Sequence, residues 1–302
     1  MYRGIAILAA VTSLAIATQA RAGTAPTIYR LEANSTFEEG CQPPCQCPII
    51  TTSDLFGTFT LQFTYADPAG YNHYAVRDVN WEVDMPDSSQ RRVTGSGEYK
   101  VGGQFGLNHQ LQLDLSFDTA APKHFDSGLV AGGGNFPVID IAIARNGFYC
   151  WDQVFRLTAS PVPATALVPY HLEQSQYLEG CLPPCLCPIF SWPAVGTFNL
   201  LDLGSSSTVG VQHYALVYIA WHTLPTPAPP ERTFTGFGIY RVDASAAKQR
   251  LVCDLTDGNG TTKRFDSGNV AGGQYAPGKI DVDIAVNGFY CYDQVFQLHA
   301  RM

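Results

Sequence analysis

The chain has 302 residues, with 18 Lys+Arg against 26 Asp+Glu and a formal net charge of −8. An acidic surface without basic clusters repels phosphate, which argues against nucleic acids and anionic membranes as partners. Apolar residues make up 46% of the chain, too many for disorder, while 28 Gly and 20 Pro with only 15% charged residues suit a turn-rich β protein better than a helical bundle.

The first segment reads as an export leader. Arg3 supplies the early positive charge, an uncharged apolar run follows over Gly4 to Ala17, and Ala20-Arg21-Ala22 is a small-x-small cleavage site. Cleavage is expected after Ala22, so residues 1–22 form the leader and the mature protein is secreted or periplasmic. The run is shorter than the ~20 residues a bilayer helix needs, and no second one follows, so no membrane span is expected in the mature protein. Losing Arg3 and Arg21 takes the net charge to −10.

The rest of the chain repeats itself at a shift of about 140 residues. The stretch from Glu39 through Cys41, Cys45 and Cys47 to Ile49 returns from Glu179 through Cys181, Cys185 and Cys187 to Ile189. His73-Tyr74-Ala75 returns as His213-Tyr214-Ala215, Trp81 as Trp221, and Phe125-Asp126-Ser127-Gly128 as Phe265-Asp266-Ser267-Gly268. Asn146-Gly147-Phe148-Tyr149-Cys150 and Asp152-Gln153-Val154-Phe155 return as Asn287-Gly288-Phe289-Tyr290-Cys291 and Asp293-Gln294-Val295-Phe296. The period exceeds that of solenoid repeats and matches a domain. The expected organisation is a first module over 23–160, a Pro-containing linker over 161–166 and a second module over 167–302.

Within each module a period of two dominates. Phe59, Leu61, Phe63 and Tyr65 alternate with polar residues. So do Leu111, Leu113, Leu115 and Phe117, then Ile139, Ile141 and Ile143, and in the second copy Ile280, Val282, Ile284 and Val286. His73 to Val83 and Arg92 to Val101 are further β-type stretches, and Gly, Pro, Asn and Asp clusters separate the runs. The expectation is all-β, with seven or eight short strands per module in an antiparallel β-sandwich or open barrel, stapled by disulfides.

Eight of the nine cysteines form two equivalent sets: Cys41, Cys45, Cys47, Cys150 and Cys181, Cys185, Cys187, Cys291. In an exported chain such sets form disulfides rather than a metal knuckle. Cys45 and Cys47 bracket one residue, so each set bonds its first Cys to its second or third, and the remaining one to the distant Cys. Cys253 replaces Leu113 of the other copy and reads as a buried thiol.

Candidate chemistry is sparse. His73 and His213 could act as bases with Asp126 and Asp266, or with Asp140 and Asp281. Asp126-Ser127-Gly128 resembles three residues around the serine of chymotrypsin-like proteases, yet Asp-Ser-Gly is also what a tight turn requires. Asp152 and Asp293 recur and could serve Ca²⁺ or acid–base chemistry. Asp257 and Asn259 resemble part of a calcium loop, though a hairpin turn explains them as well. Trp81, Trp221 and the Phe-Tyr pairs before Cys150 and Cys291 could form an aromatic binding face, but are expected in the core beside the disulfides. What repeats makes a fold rather than a reaction. The sequence therefore favours an exported, cofactor-free binding or structural protein with two similar surfaces for a polysaccharide, matrix component or surface protein. The rival reading is an exported hydrolase using the repeated His and Asp residues.

Overall fold

A computed structural model describes residues 25–47, 49–87, 89–206, 210–225, 231–274 and 276–302. The expected leader lies outside the described residues. The first ten strands are β1 (Thr27–Leu31), β2 (Thr36–Gln42), β3 (Ile50–Ala66), β4 (Tyr71–Asp84), β5 (Gln90–Gly102), β6 (Asn108–Phe117), β7 (Lys123–Asp126), β8 (Val130–Ala131), β9 (Ile139–Ala144) and β10 (Cys150–Pro161). The second ten are β11 (Leu167–Leu172), β12 (Ser175–Cys181), β13 (Ile189–Ser205), β14 (Gln212–Thr223), β15 (Thr233–Asp243), β16 (Lys248–Asp257), β17 (Thr262–Asp266), β18 (Val270–Ala271), β19 (Lys279–Ala285) and β20 (Tyr292–Arg301). All pairings are antiparallel, and the one helical element among the described residues is the 3₁₀ turn Ala164–Ala166.

Each set of ten closes on itself. In the first, β2-β3-β4-β5-β6-β7-β9-β10 run as successive neighbours and β10 returns to β2, which makes an up-and-down barrel of eight staves. The second closes in the same way through β12, β13 to β17, β19 and β20. Of the two expected architectures the barrel is the one formed, and it is closed. β1 and β11 extend the staves of β2 and β12 along the long β3 and β13. Closure removes the edge strands that an open sheet would expose. The seam between β7 and β9 rests on the single pair Asp126–Ala144.

The alternating runs point into the barrels. Leu111, Leu113, Leu115 and Phe117 are buried, as are Ile139, Ile141 and Ile143, around Phe37, Trp81, Phe125 and Phe155. One run leaves the core midway: Phe59 and Leu61 are buried, but the register of β3 on β4 shifts between Phe63 and Tyr65, and Tyr65 stacks on His73 at the surface. Val286 lies past the end of β19 and is exposed.

The disulfides are Cys41–Cys47 and Cys45–Cys150, and, in the same pattern, Cys181–Cys187 and Cys185–Cys291. In the chain-entropy account each long bridge, spanning 105 or 106 residues, contributes about 4–5 kcal/mol. Cys253 is the one free cysteine, buried in the second core, where burial pushes its thiol pKa up.

The two barrels share a packed boundary. Ile28 and Phe56 meet Leu201, Leu203, Ala215 and Val217, with Val162, Ala166 and Leu167 against them. The segment between the modules is therefore part of this contact. Arg92 reaches Asp254 across it at 3.1 Å, and Asn80 donates to the Gly238 carbonyl at 3.0 Å.

Candidate functional site: the stapled barrel mouths

Directly paired residues in a sheet share a face, and residues two apart along a strand share it as well. On β2 and β10 this places Phe37 with Phe155, Glu39 with Gln153 and Cys41 with Trp151 on the inner face. The ladder runs from a buried aromatic floor, through a polar pair, to the disulfide rim. In the second barrel Tyr177 with Phe296, Glu179 with Gln294 and Cys181 with Tyr292 repeat it, step for step.

Neighbouring staves complete the polar layer. In the first mouth Gln153 Nε2 donates to Glu39 Oε1 at 2.8 Å, Lys123 Nζ donates to Gln153 Oε1 at 3.4 Å, and Arg91 pairs with Glu39 at 3.5 Å. In the second, Gln294 donates to Glu179 at 3.2 Å, Lys263 to Gln294 at 2.9 Å, and Arg232 pairs with Glu179. Tyr292 adds its hydroxyl to Glu179 at 2.7 Å. Burial pushes the Glu179 carboxyl up, but the hydrogen bonds from Tyr292 and Gln294 and the Arg232 charge outweigh it and hold it low. Arg232 also lies over Trp192 at 5.1 Å and Tyr177 at 5.4 Å, so its charge faces two π surfaces.

Aromatic side chains stand exposed around both rims. Tyr149 and Trp151 are 62% and 55% exposed, and Tyr290 and Tyr292 are each 59% exposed. The expectation that the tyrosines before Cys150 and Cys291 lie in the core is thus corrected, whereas Trp81 and Trp221 are buried as expected. The reason is the loop backbone: Phe148 and Cys150 have φ of 63° and 54°, and Phe289 and Cys291 have 63° and 53°, which turns the intervening Tyr outward. Asp152 and Asp293 hold that backbone. Asp152 accepts from the amides of Asn146, Phe148 and Gln153, and Asp293 from those of Asn287, Phe289 and Gln294. Both are buried, and their oxygens are occupied by the chain itself.

The mouths differ in which strand supplies an aromatic to the floor. The second opens into a cavity of about 550 Å³ with Tyr177, Phe234 and Phe265 at its base and Arg232, Lys263, Gln294 and Asp257 on its walls. Val93 pairs with Phe117 in the first barrel, where Phe234 pairs with Asp257 in the second. Phe117 turns into the first core against Phe37 and Phe155, and Phe234 into the second against Tyr177 and Phe296, so the aromatic comes from opposite members of the pair.

The remaining sequence candidates are scattered. His73 lies between Glu98 at 2.6 Å and Asp67 at 3.1 Å, not beside Asp126. Asp126 accepts from Gln110, Gln112 and the Gly128 amide, and Asp266 from Arg250 and the Gly268 amide. Ser127 and Ser267 each bond a strand amide and the following carbonyl, as turn residues do. Asp140 is exposed, while Asp281 pairs with His299, Lys279 and Arg301. Asp257 caps its own turn through the amides of Asn259 and Thr261. His213 meets Glu82 and Asp84 of the first barrel. Sequence reasoning missed Arg91, Arg232, Lys123 and Lys263. Glu39, Gln153, Glu179 and Gln294 stood inside the repeated words, and a polar pair recurring on an otherwise apolar inward face was the signal.

Comparison with protein-family models, with curated proteins and with solved structures yields no match. No helix among the described residues is long and apolar enough to cross a membrane.

Proposed function

We propose that the protein is an exported, two-headed binding protein whose barrel mouths take glycans. The observation that carries this reading is the recurrence, at both mouths, of one Arg–Glu–Gln–Lys layer beneath exposed aromatic rings. Barrel mouths are common ligand sites, and an apolar floor with a few fixed polar groups is their usual composition. A sugar ring offers a C–H face to Trp151 or Tyr292 and a hydroxyl edge to Glu, Gln, Arg and Lys side chains already ordered by one another. Two such sites in one chain raise affinity for a repeating ligand through effective concentration alone. Export accords with the four disulfides and the leader-like N-terminus.

The test is a glycan array followed by titration of the best oligosaccharide and of its polymer. Trp151→Ala and Tyr292→Ala should each abolish one of two sites for the oligosaccharide. For the polymer, either single change should lower apparent affinity by about 10²-fold or more. Absence of glycan binding by the intact chain, or binding untouched in the double variant, would refute the reading.

A further inference from the structure

We infer that the boundary between the barrels holds a first-row divalent cation of the zinc type, ligated by Glu82 and Asp84 of β4 and His213 of β14. The three ligand atoms lie within 4.8 Å of one another. They are buried: the side chains of Glu82, Asp84 and His213 are 3%, 7% and 0% exposed. Among the described residues, both Asp84 oxygens and His213 Nε2 make no hydrogen bond, and Glu82 Oε1 has the Arg241 guanidinium beside it as an ion-pair partner.

The imidazole is oriented for ligation. His213 Nδ1 stands 3.1 Å from the Val211 carbonyl, and its ring stacks on Phe56 with centroids 4.1 Å apart. A carbonyl oxygen can only accept, so Nδ1 carries a proton and Nε2 is left facing two carboxylates. Two carboxylates at Nε2 call for a positive charge between them: a second ring proton, which Asp84 and Glu82 favour against the burial that opposes it, or a metal ion in its place. Backbone-bonded Nδ1 is the usual support of an imidazole that ligates through Nε2.

The spacing also accommodates a metal. Nε2 is 3.3 Å from Asp84 Oδ2 and 3.6 Å from Glu82 Oε1. Charge-assisted hydrogen bonds close to about 2.7–2.9 Å. Ligand atoms about 2.0–2.1 Å from a tetrahedral zinc stand about 3.3 Å apart. One nitrogen with two carboxylates suits zinc rather than calcium, which wants six to eight oxygens. Arg241 Nε, 3.0 Å from Glu82 Oε1, supplies the outer contact that ligating carboxylates commonly have. A cleft of about 230 Å³ lined by Asp84, Ser206, Val211 and Arg241 gives the ion its path in. Because the ligands come from both barrels, the ion ties them together.

The experiment uses the full chain stripped with a chelator and dialysed against Zn²⁺ alone. One zinc per chain and a raised melting temperature are expected. His213→Gln and Asp84→Asn should each weaken binding by more than the roughly 10–100-fold that loss of an outer contact costs, and should remove the thermal shift. Zinc uptake equal in wild type and both variants, or none in wild type, would overturn the inference. Should the variants fail to fold, wild-type protein loaded with Co²⁺ decides. Intense visible bands of a four-coordinate nitrogen–oxygen site support it, and the weak spectrum of hydrated cobalt refutes it.

Discussion

Asp293 shows how much one side chain organises. Its carboxylate accepts from the amides of Val286, Asn287 and Phe289 in the loop that presents Tyr290 and from that of Gln294 on β20, and the side chain itself is buried. Asp293→Ala strands several donors at once, so a loss of about 3 kcal/mol in denaturant unfolding is expected. Asp266 permits a pH test. Burial pushes its carboxyl up, but the two-pronged Arg250 contact prevails and holds it below the ordinary 3.8. A depressed folded-state value means the contribution is present above that ordinary value and fades as pH falls through the folded one. Asp266→Asn should thus cost about 1–2 kcal/mol at neutral pH, since both groups are partly exposed. The gap to wild type should narrow below pH 4, as followed by urea melts at several pH values. Cys253 predicts a stoichiometry. Thiol titration should find no reactive thiol in the native protein and one per chain after unreduced denaturation.

At the level of strands, close crossings define the barrels. Gly57 and Gly196 have φ of 143° and 142°, and a Cβ there would stand 2.1 Å from the Asn80 carbonyl and 2.2 Å from that of Ala220. Gly57→Ala and Gly196→Ala should each cost about 3 kcal/mol or more, because the obstacle is backbone. Gly268→Ala meets nothing within 4 Å and bears only the left-handed conformation, about 1–2 kcal/mol. Thermal melts of the three variants should separate in that order. The strands themselves were legible, since a stave with one buried face must alternate. Closure was not: the return of β10 onto β2 joins Gln153 to Glu39, 114 residues apart. The mouths were hidden for the same reason, because their polar layer comes from four staves and local pattern shows only one at a time. His73 and His213 read alike in sequence and differ in fact, because the partners of His213 belong to the other barrel.

The whole molecule depends on how firmly that boundary couples two similar barrels. Its apolar part is modest, but its ion pairs are deeply placed. Arg92 Nη2 lies 3.1 Å from Asp254 Oδ2 with side chains 5% and 10% exposed, and Arg264 bonds the other Asp254 oxygen at 2.9 Å. A buried charge without its partner is costly, about 3–5 kcal/mol, whereas exchange of both partners for apolar residues of similar volume is often close to neutral. Arg92→Met alone leaves Asp254 to Arg264, and Asp254→Leu alone leaves Arg92 buried and unpaired. The second single variant should therefore be the more damaging, and the double variant should recover much of the loss. Arg92 and Asp254 sit on different barrels, so the loss should fall on coupling more than on either barrel. Calorimetry should show one transition for the intact chain and two resolved transitions for Asp254→Leu. Asp266→Asn, which breaks a pair within the second barrel, should not split the transition. If all three chains melt in a single transition, the coupling lies in the apolar contact of Phe56 and Ile28 with Leu201 and Val217 rather than in the charges.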